Sequence, residues 1–247
     1  MSWILLRGLT REARHWGDFA PLIAGRTREE VLTLDLPGNG EFAALPSPST
    51  VAGMTNFVRA QVQGCSIAGP HKLLAMSLGG MVATDWSQRY PAEVERLALI
   101  NTSMRPFGSM TQRLRPGNWP RLALLAARWA DADYAEQTIH QLTCNHVATR
   151  DADIAAWQHI RKSAPVSPAN AARQLAAAAR YACAAATPRC PTLVLSSAGD
   201  RLVNPLCSTQ LAAAWQTAHK QHPWAGHDLP HDDGEWICSQ LCLRITA

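Results

Sequence analysis

Residues 73–81 read LLAMSLGGM, and no other stretch constrains the fold of this chain as strongly. Lys72, Leu73, Leu74 and Ala75 suit a buried strand that runs into a serine, and Val82, Ala83, Trp86 and Tyr90 continue at helical spacing. Ser77 is therefore expected on a tight strand-to-helix turn, whose strained backbone lifts the hydroxyl clear of the sheet. Strand and helix nearly touch at such a turn, so its neighbours must be small; Ala75 and Gly79 are. The pattern is G-x-S-x-G with Ala75 in place of the first glycine.

Two later loops carry residues that complement a serine. Residues 191–196, PTLVLS, read as a buried strand, and Ala198, Gly199 and Asp200 form a turn directly after it. Trp224, Ala225, Gly226 and His227 precede a final helix around 235–243. A serine hydroxyl is a weak nucleophile until a base takes its proton, and an imidazole held by a carboxylate is suited to that task. Asp200 also has a plainer reading as a turn residue, since AGD is good turn chemistry. The order serine, aspartate, histidine, each at a strand end, favours the catalytic reading. The strand at 97–100 ends in Asn101, Thr102 and Ser103, which offer no carboxylate. His222 and His231 are the rival bases.

An oxyanion would need two main-chain donors. The amide of Leu78 follows the serine, and the amide of Leu9 lies in the loop after the strand at 3–6. His227, Asp228, His231, Asp232 and Asp233 crowd one loop, but Pro230 breaks it and no HExxH-like pair is present. No metal and no cofactor is expected there. Asp232 and Asp233 read as a solvated loop and a helix cap.

With these landmarks together, the chain resembles the α/β-hydrolase superfamily, in its cap-bearing branch of small bacterial esterases. The matching segments are LLRGL near the start, LDLPGNG at 34–40, AMSLGG around Ser77, SSAGDRLVNP around Asp200 and AGHDLPHDDGEW around His227. Within that branch it is most similar to the pimeloyl-[acyl-carrier protein] methyl ester esterases. The resemblance implies an ester hydrolase working through Ser77, His227 and Asp200, with an acyl-enzyme intermediate. General short-chain carboxylesterases and thioesterases, carbon–carbon hydrolases and lactonases share this arrangement. A haloalkane dehalogenase is disfavoured, because its nucleophile is an aspartate where Ser77 stands. A non-catalytic binding protein on the same fold is the reading from another class. The departures are Ala75, an apparently different cap, and Arg7-Gly8 where many relatives have His-Gly.

The chain has 247 residues, enough for one large core. Strands at 4–6, 31–35, 72–75, 96–100 and 192–195 alternate with helices, which predicts an α/β fold on a mostly parallel sheet. A helix at 50–62 should turn Val51, Met54, Phe57, Val58 and Val62 inward. Between 104 and 187 only helical patterns appear, near 121–131, 134–144, 151–162 and 168–185. The expected division is a core of 1–103 and 188–247 with a helical cap inserted at 104–187. Seven cysteines, an odd number placed mostly in core-like elements, point to free thiols and a cytoplasmic protein. Cys238 and Cys242, one turn apart, should share a buried helix face. No apolar run is long enough to span a membrane.

The cap carries ten basic and five acidic residues, while the whole chain has a net charge of +4. A basic lid would attract an anionic partner such as an acidic acyl-carrier protein, with Arg113 and Arg121 as its contacts. No basic stripe interleaved with aromatics points to nucleic acid. Met76 and Phe107 are expected to line the acyl pocket, helped by one or two of Trp119, Trp129 and Trp157.

Overall fold

The computed structural model describes residues 2–65, 67 and 69–242. Six strands form one sheet: β1 (Ser2–Leu6), β2 (Glu30–Leu34), β3 (His71–Met76), β4 (Val94–Ile100), β5 (Thr192–Ser197) and β6 (Ala218–His222). Their order is β2-β1-β3-β4-β5-β6, and every neighbouring pair is parallel. Five of these strands are legible as apolar runs. The sixth, AHKQH, has two exposed residues and lies at the sheet edge, so only its last residue, His222, stands out in the sequence.

Helices cover both faces. They are α1 (Phe19–Thr27), α2 (Val51–Gly64), α3 (Leu78–Arg89), α4 (Met110–Arg113), α5 (Trp119–Ala127), α6 (Ala132–Thr143), α7 (Arg150–Ser163), α8 (Pro168–Arg180), α9 (Leu206–Trp215), α10 (Leu229–Asp232) and α11 (Gly234–Cys242). Successive strand residues point to opposite faces. Ile4, Leu6, Leu73 and Ala75 therefore pack with α2, α3 and α9, while Trp3, Leu5, Leu74 and Met76 pack with α1 and α11. Burial on both faces is why these strands read as continuous apolar runs.

Local chemistry sets the helix starts. Thr50 caps α2 by accepting from the Gly53 amide, and Ser167 caps α8 from the Asn170 amide with Pro168 in its first turn. In α2 Val51, Met54, Val58 and Val62 are buried with Thr55, whereas Phe57 is half-buried against Phe42. Leu243, at the expected end of the last helix, lies outside the described residues. Within that helix Cys238 is buried and Cys242 is exposed, because the core-facing stripe runs through Ile237, Cys238 and Leu241. All seven cysteines are free.

The chain between β4 and β5 forms α4 to α8 and no strand. Polar side chains from this helical segment reach the loops at the C-terminal edge of the sheet. Gln174 of α8 is fully buried; its carbonyl accepts from the Thr10 amide at 2.8 Å, and its amide donates to Asn39 at 2.7 Å. Asn145, just after α6, donates to the carbonyls of Gly199 (3.1 Å) and Trp224 (2.8 Å). Among the described residues no helix is long and apolar enough to cross a membrane.

Candidate active site

Ser77 separates β3 from α3 with φ +53° and ψ −120°. A non-glycine residue there costs on the order of 1–3 kcal/mol and must be held by its surroundings. Three hydrogen bonds hold it: the Ser77 amide donates to the Ile100 carbonyl (3.0 Å), and its own carbonyl accepts from the Thr102 hydroxyl (2.8 Å) and the Met81 amide (3.3 Å). The close approach that demands small residues lies at the start of the helix. A Cβ on Gly79 would fall 2.4 Å from the Leu6 carbonyl oxygen, in direct collision with β1.

Asp200 follows β5 and is buried. Its Oδ1 accepts from the amides of Leu202 (2.8 Å) and Val203 (2.9 Å), which leaves Oδ2 for His227 Nδ1 at 2.7 Å. Gly199 is required here, because a Cβ would sit 2.3 Å from the Trp224 carbonyl on the histidine loop. His227 is itself buried. Burial disfavours its charged form, but the Asp200 charge and hydrogen bond, helped by Asp228, outweigh burial and raise its pKa above the ordinary imidazole value.

Ser77, His227, Met76 and Leu9 line one cavity of about 130 Å³ together with apolar side chains from the helices between β4 and β5, among them Leu125 and Trp129. The amides of Leu9 and Leu78 make no hydrogen bond among the described residues. Leu78 is also the first residue of α3, where the helix dipole favours negative charge. The other expected residues lie elsewhere. Phe107 packs edge-on against Trp215, and Trp119 is exposed. Arg113 is half-buried and donates to the carbonyls of Ala178 and Ala179, so it caps the end of α8, while Arg121 lies on the exposed surface of α5. Asp233 caps α11 by accepting from the Trp236 amide (2.9 Å). Asp232 departs from its expected solvated setting: it is buried and accepts from the amides of Gly226, Asn145 and His146.

The profile of the alpha/beta hydrolase family matches residues 3–240. The chain belongs to that family. It is 26% identical to the carbamate hydrolase RutD of Klebsiella pneumoniae (strain 342), across 99% of this chain and 91% of that one. It is 31% identical to the pimeloyl-[acyl-carrier protein] methyl ester esterase of Chromobacterium violaceum, but across only 51% of this chain and 45% of the relative. Among solved structures, the enol-lactonase of Burkholderia xenovorans LB400 superposes with a TM-score of 0.78 at 20% identity, covering 97% of this chain and 89% of that one. At that identity the likeness speaks for the fold.

Against this alpha/beta hydrolase background, the Arg7 departure has a visible partner. Its guanidinium forks onto Asp228, with Nη1 3.0 Å from Oδ1 and Nη2 on Oδ2, and it lies 4.8 Å from the Trp16 ring centre. Both side chains are almost wholly buried. Burial alone would raise the Asp228 pKa, but Arg7 outweighs it and brings the carboxyl down to about 2. Arg7→Ala is expected to destabilise the protein by about 3–5 kcal/mol, since it strands a buried carboxylate. Exchanging both residues together for apolar ones of similar volume should cost far less. Urea denaturation of the single and double variants checks this; equal losses would mean that packing, not the unpaired charge, carries the effect.

Sequence reasoning missed the residues that aim the histidine loop. Asn101, at φ +45°, donates to the carbonyls of His227 (2.8 Å) and Gly226 (3.2 Å) and accepts from the Ser197 amide (2.9 Å). It offers no carboxylate, so nothing marks it as a partner for the base. Its signal is an asparagine at a strand end, a residue that tolerates the left-handed region.

Proposed function

We propose that the protein is a serine hydrolase of small carboxylic esters, with Ser77 as nucleophile, His227 as general base and Asp200 as its orienting partner. Ser77 Oγ attacks the acyl carbon while His227 Nε2 takes the hydroxyl proton. The Leu9 and Leu78 amides stabilise the oxygen as it gains negative charge. His227 then passes its proton to the departing alkoxide, and water, activated by the same imidazole, releases the acyl group. Asp200 holds Nδ1–H, so that Nε2 faces the serine.

One observation carries the reading: His227, held 2.7 Å from Asp200, lines the same cavity as a strained, half-buried serine. Cavity size supports the choice of substrate. At about 130 Å³ the cavity is smaller than the roughly 300–1,000 Å³ of typical ligand pockets, which favours a short acyl chain. Its walls are mostly apolar, so they favour an uncharged acyl group. Arg113, tied to the end of α8, is less available to an acidic carrier protein than its sequence position suggests.

A second reading, a pimeloyl-acyl-carrier-protein methyl ester esterase, is favoured by the half-length likeness to such an enzyme. The full-length likeness to a carbamate hydrolase adds carbamates to the substrates worth assaying. Methanol release should be measured in parallel from methyl acetate, methyl butyrate, a small methyl carbamate and pimeloyl-acyl-carrier-protein methyl ester. We expect the highest kcat/KM for the short acyl esters. Preference for the carrier-bound ester would replace the first reading with the second, and turnover of none would count against both.

A further inference from the structure

We propose that His140, Cys144 and His231 supply three ligands of a binding site for one tetrahedral divalent cation of zinc's class, joining the helical segment between β4 and β5 to the loop that carries His227. His231 lies far from the others in sequence, and they meet where three helices abut. His140 and Cys144 stand one helical turn apart at the end of α6, Asp153 is in the first turn of α7, and His231 is in α10. One ligand atom each from His140, Cys144 and His231 fall within 4.8 Å of one another. Asp153 Oδ2 lies 3.5 Å from His140 Nε2 and 3.1 Å from His231 Nε2.

These separations are close to what a metal needs. With metal–nitrogen and metal–oxygen bonds of about 2.0–2.2 Å, two such ligands of a tetrahedron stand about 3.3–3.5 Å apart. The Asp153–histidine contacts lie near that spacing, and the three donor atoms of His140, Cys144 and His231, within 4.8 Å of one another, must draw inward to meet one ion. Sulfur and imidazole nitrogen together are a donor set suited to zinc, with a water molecule to complete the tetrahedron. One thiolate ligand and the neighbouring Asp153 carboxylate also balance a 2+ ion, so the filled site leaves no net charge in the interior.

An independent observation points to a missing ligand. His140 is 1% exposed, and its Nε2 has no hydrogen-bond partner among the described residues. Buried imidazole nitrogens are rarely left so, and a cation at this point would satisfy it. The surroundings are those of a supported site. The Thr149 hydroxyl donates to Asp153 Oδ2 at 2.8 Å, and the Trp157 ring lies 5.4 Å from both imidazoles, walling them from water. His231 belongs to the loop where the sequence alone suggests no metal. Its partners come from the helical segment between β4 and β5, so that loop's own spacing could not reveal them.

The site is separate from Ser77, and the proposal does not depend on the proposed ester hydrolysis. The full-length protein should be stripped with a chelator, dialysed and titrated with zinc, then with cobalt as a spectroscopic probe. We expect one equivalent of zinc to bind and to raise the thermal unfolding midpoint, with chelator reversing the rise. Cobalt should give the visible bands of a tetrahedral site and a near-ultraviolet thiolate-to-metal band. Cys144→Ser should abolish the thiolate band, and His231→Gln should weaken binding by about 100-fold or more, since even losing a residue that only supports a ligand costs about 10–100-fold. Ser77→Ala should bind zinc like the parent, which keeps this test distinct from that of the proposed function. Failure to take up one equivalent at micromolar zinc, or uptake unchanged in folded Cys144→Ser and His231→Gln, would overturn the site and leave only the Asp153–His231 hydrogen bond beside His140.

Discussion

Ser77→Ala is expected to lower kcat for ester hydrolysis by about a millionfold, the scale seen when a serine nucleophile is removed from a working triad. Fold stability should scarcely change. Ser77 Oγ makes no hydrogen bond among the described residues, and the turn is held through the main chain to Ile100, Thr102 and Met81, contacts that alanine keeps. Alanine also keeps the strain of φ +53°, whereas glycine does not. Ser77→Gly should therefore be just as inactive yet more stable than Ser77→Ala, by about 1 kcal/mol. A fluorophosphonate probe should label the parent protein at Ser77 and neither variant. Residual turnover within tenfold of the parent, or labelling that persists in Ser77→Ala, would show that another group performs the chemistry. The glycine comparison adds a readout that a purely structural serine would not give, because activity and stability move in opposite directions.

What could be read from the sequence follows from how local each signal is. The β3–α3 turn was legible because the strain, the small residues and the switch from strand to helical spacing all fall within nine positions, 73–81. Asp200 and His227 were legible by their order along the chain, since each lies just beyond a strand. The supports around them were not. Asn101 holds the His227 carbonyl, Asn145 bridges the two loops that carry Asp200 and His227, and Gln174 fixes the loop that carries Leu9 by way of the Thr10 amide. Each acts through side-chain bonds to main chain distant in sequence, and an isolated amide in an alanine-rich helix such as α8 gives no hint of that. Arg113 shows the opposite failure. Charge counting marks it as a surface contact, but an arginine can also satisfy a helix's free C-terminal carbonyls, and only the packing decides between the two.

Asp200→Asn should lower kcat by about 10⁴-fold and at the same time move the acid limb of the pH profile to lower pH. The rate falls because of tautomer. The introduced amide could still accept from the Leu202 and Val203 N–H groups through its oxygen, which would turn its NH₂ group toward His227 Nδ1. Nδ1 must then be an acceptor and Nε2 carries the proton, so the nitrogen proposed to act on Ser77 can no longer take one. The pH shift has a separate cause. In the proposed mechanism His227 acts as a base only when neutral, so kcat/KM is expected to rise with pH through its pKa in the free enzyme. In the parent protein that pKa is raised: burial pulls it down, but the Asp200 charge and hydrogen bond and the Asp228 charge push it up further, against Arg7. Removing the Asp200 charge leaves burial and Arg7 opposed only by Asp228, so the neutral imidazole persists to lower pH. A variant that merely disturbed the loop would lose rate with its acid limb unmoved, and that result, in a protein whose fold is intact, would remove Asp200 from the proposed mechanism.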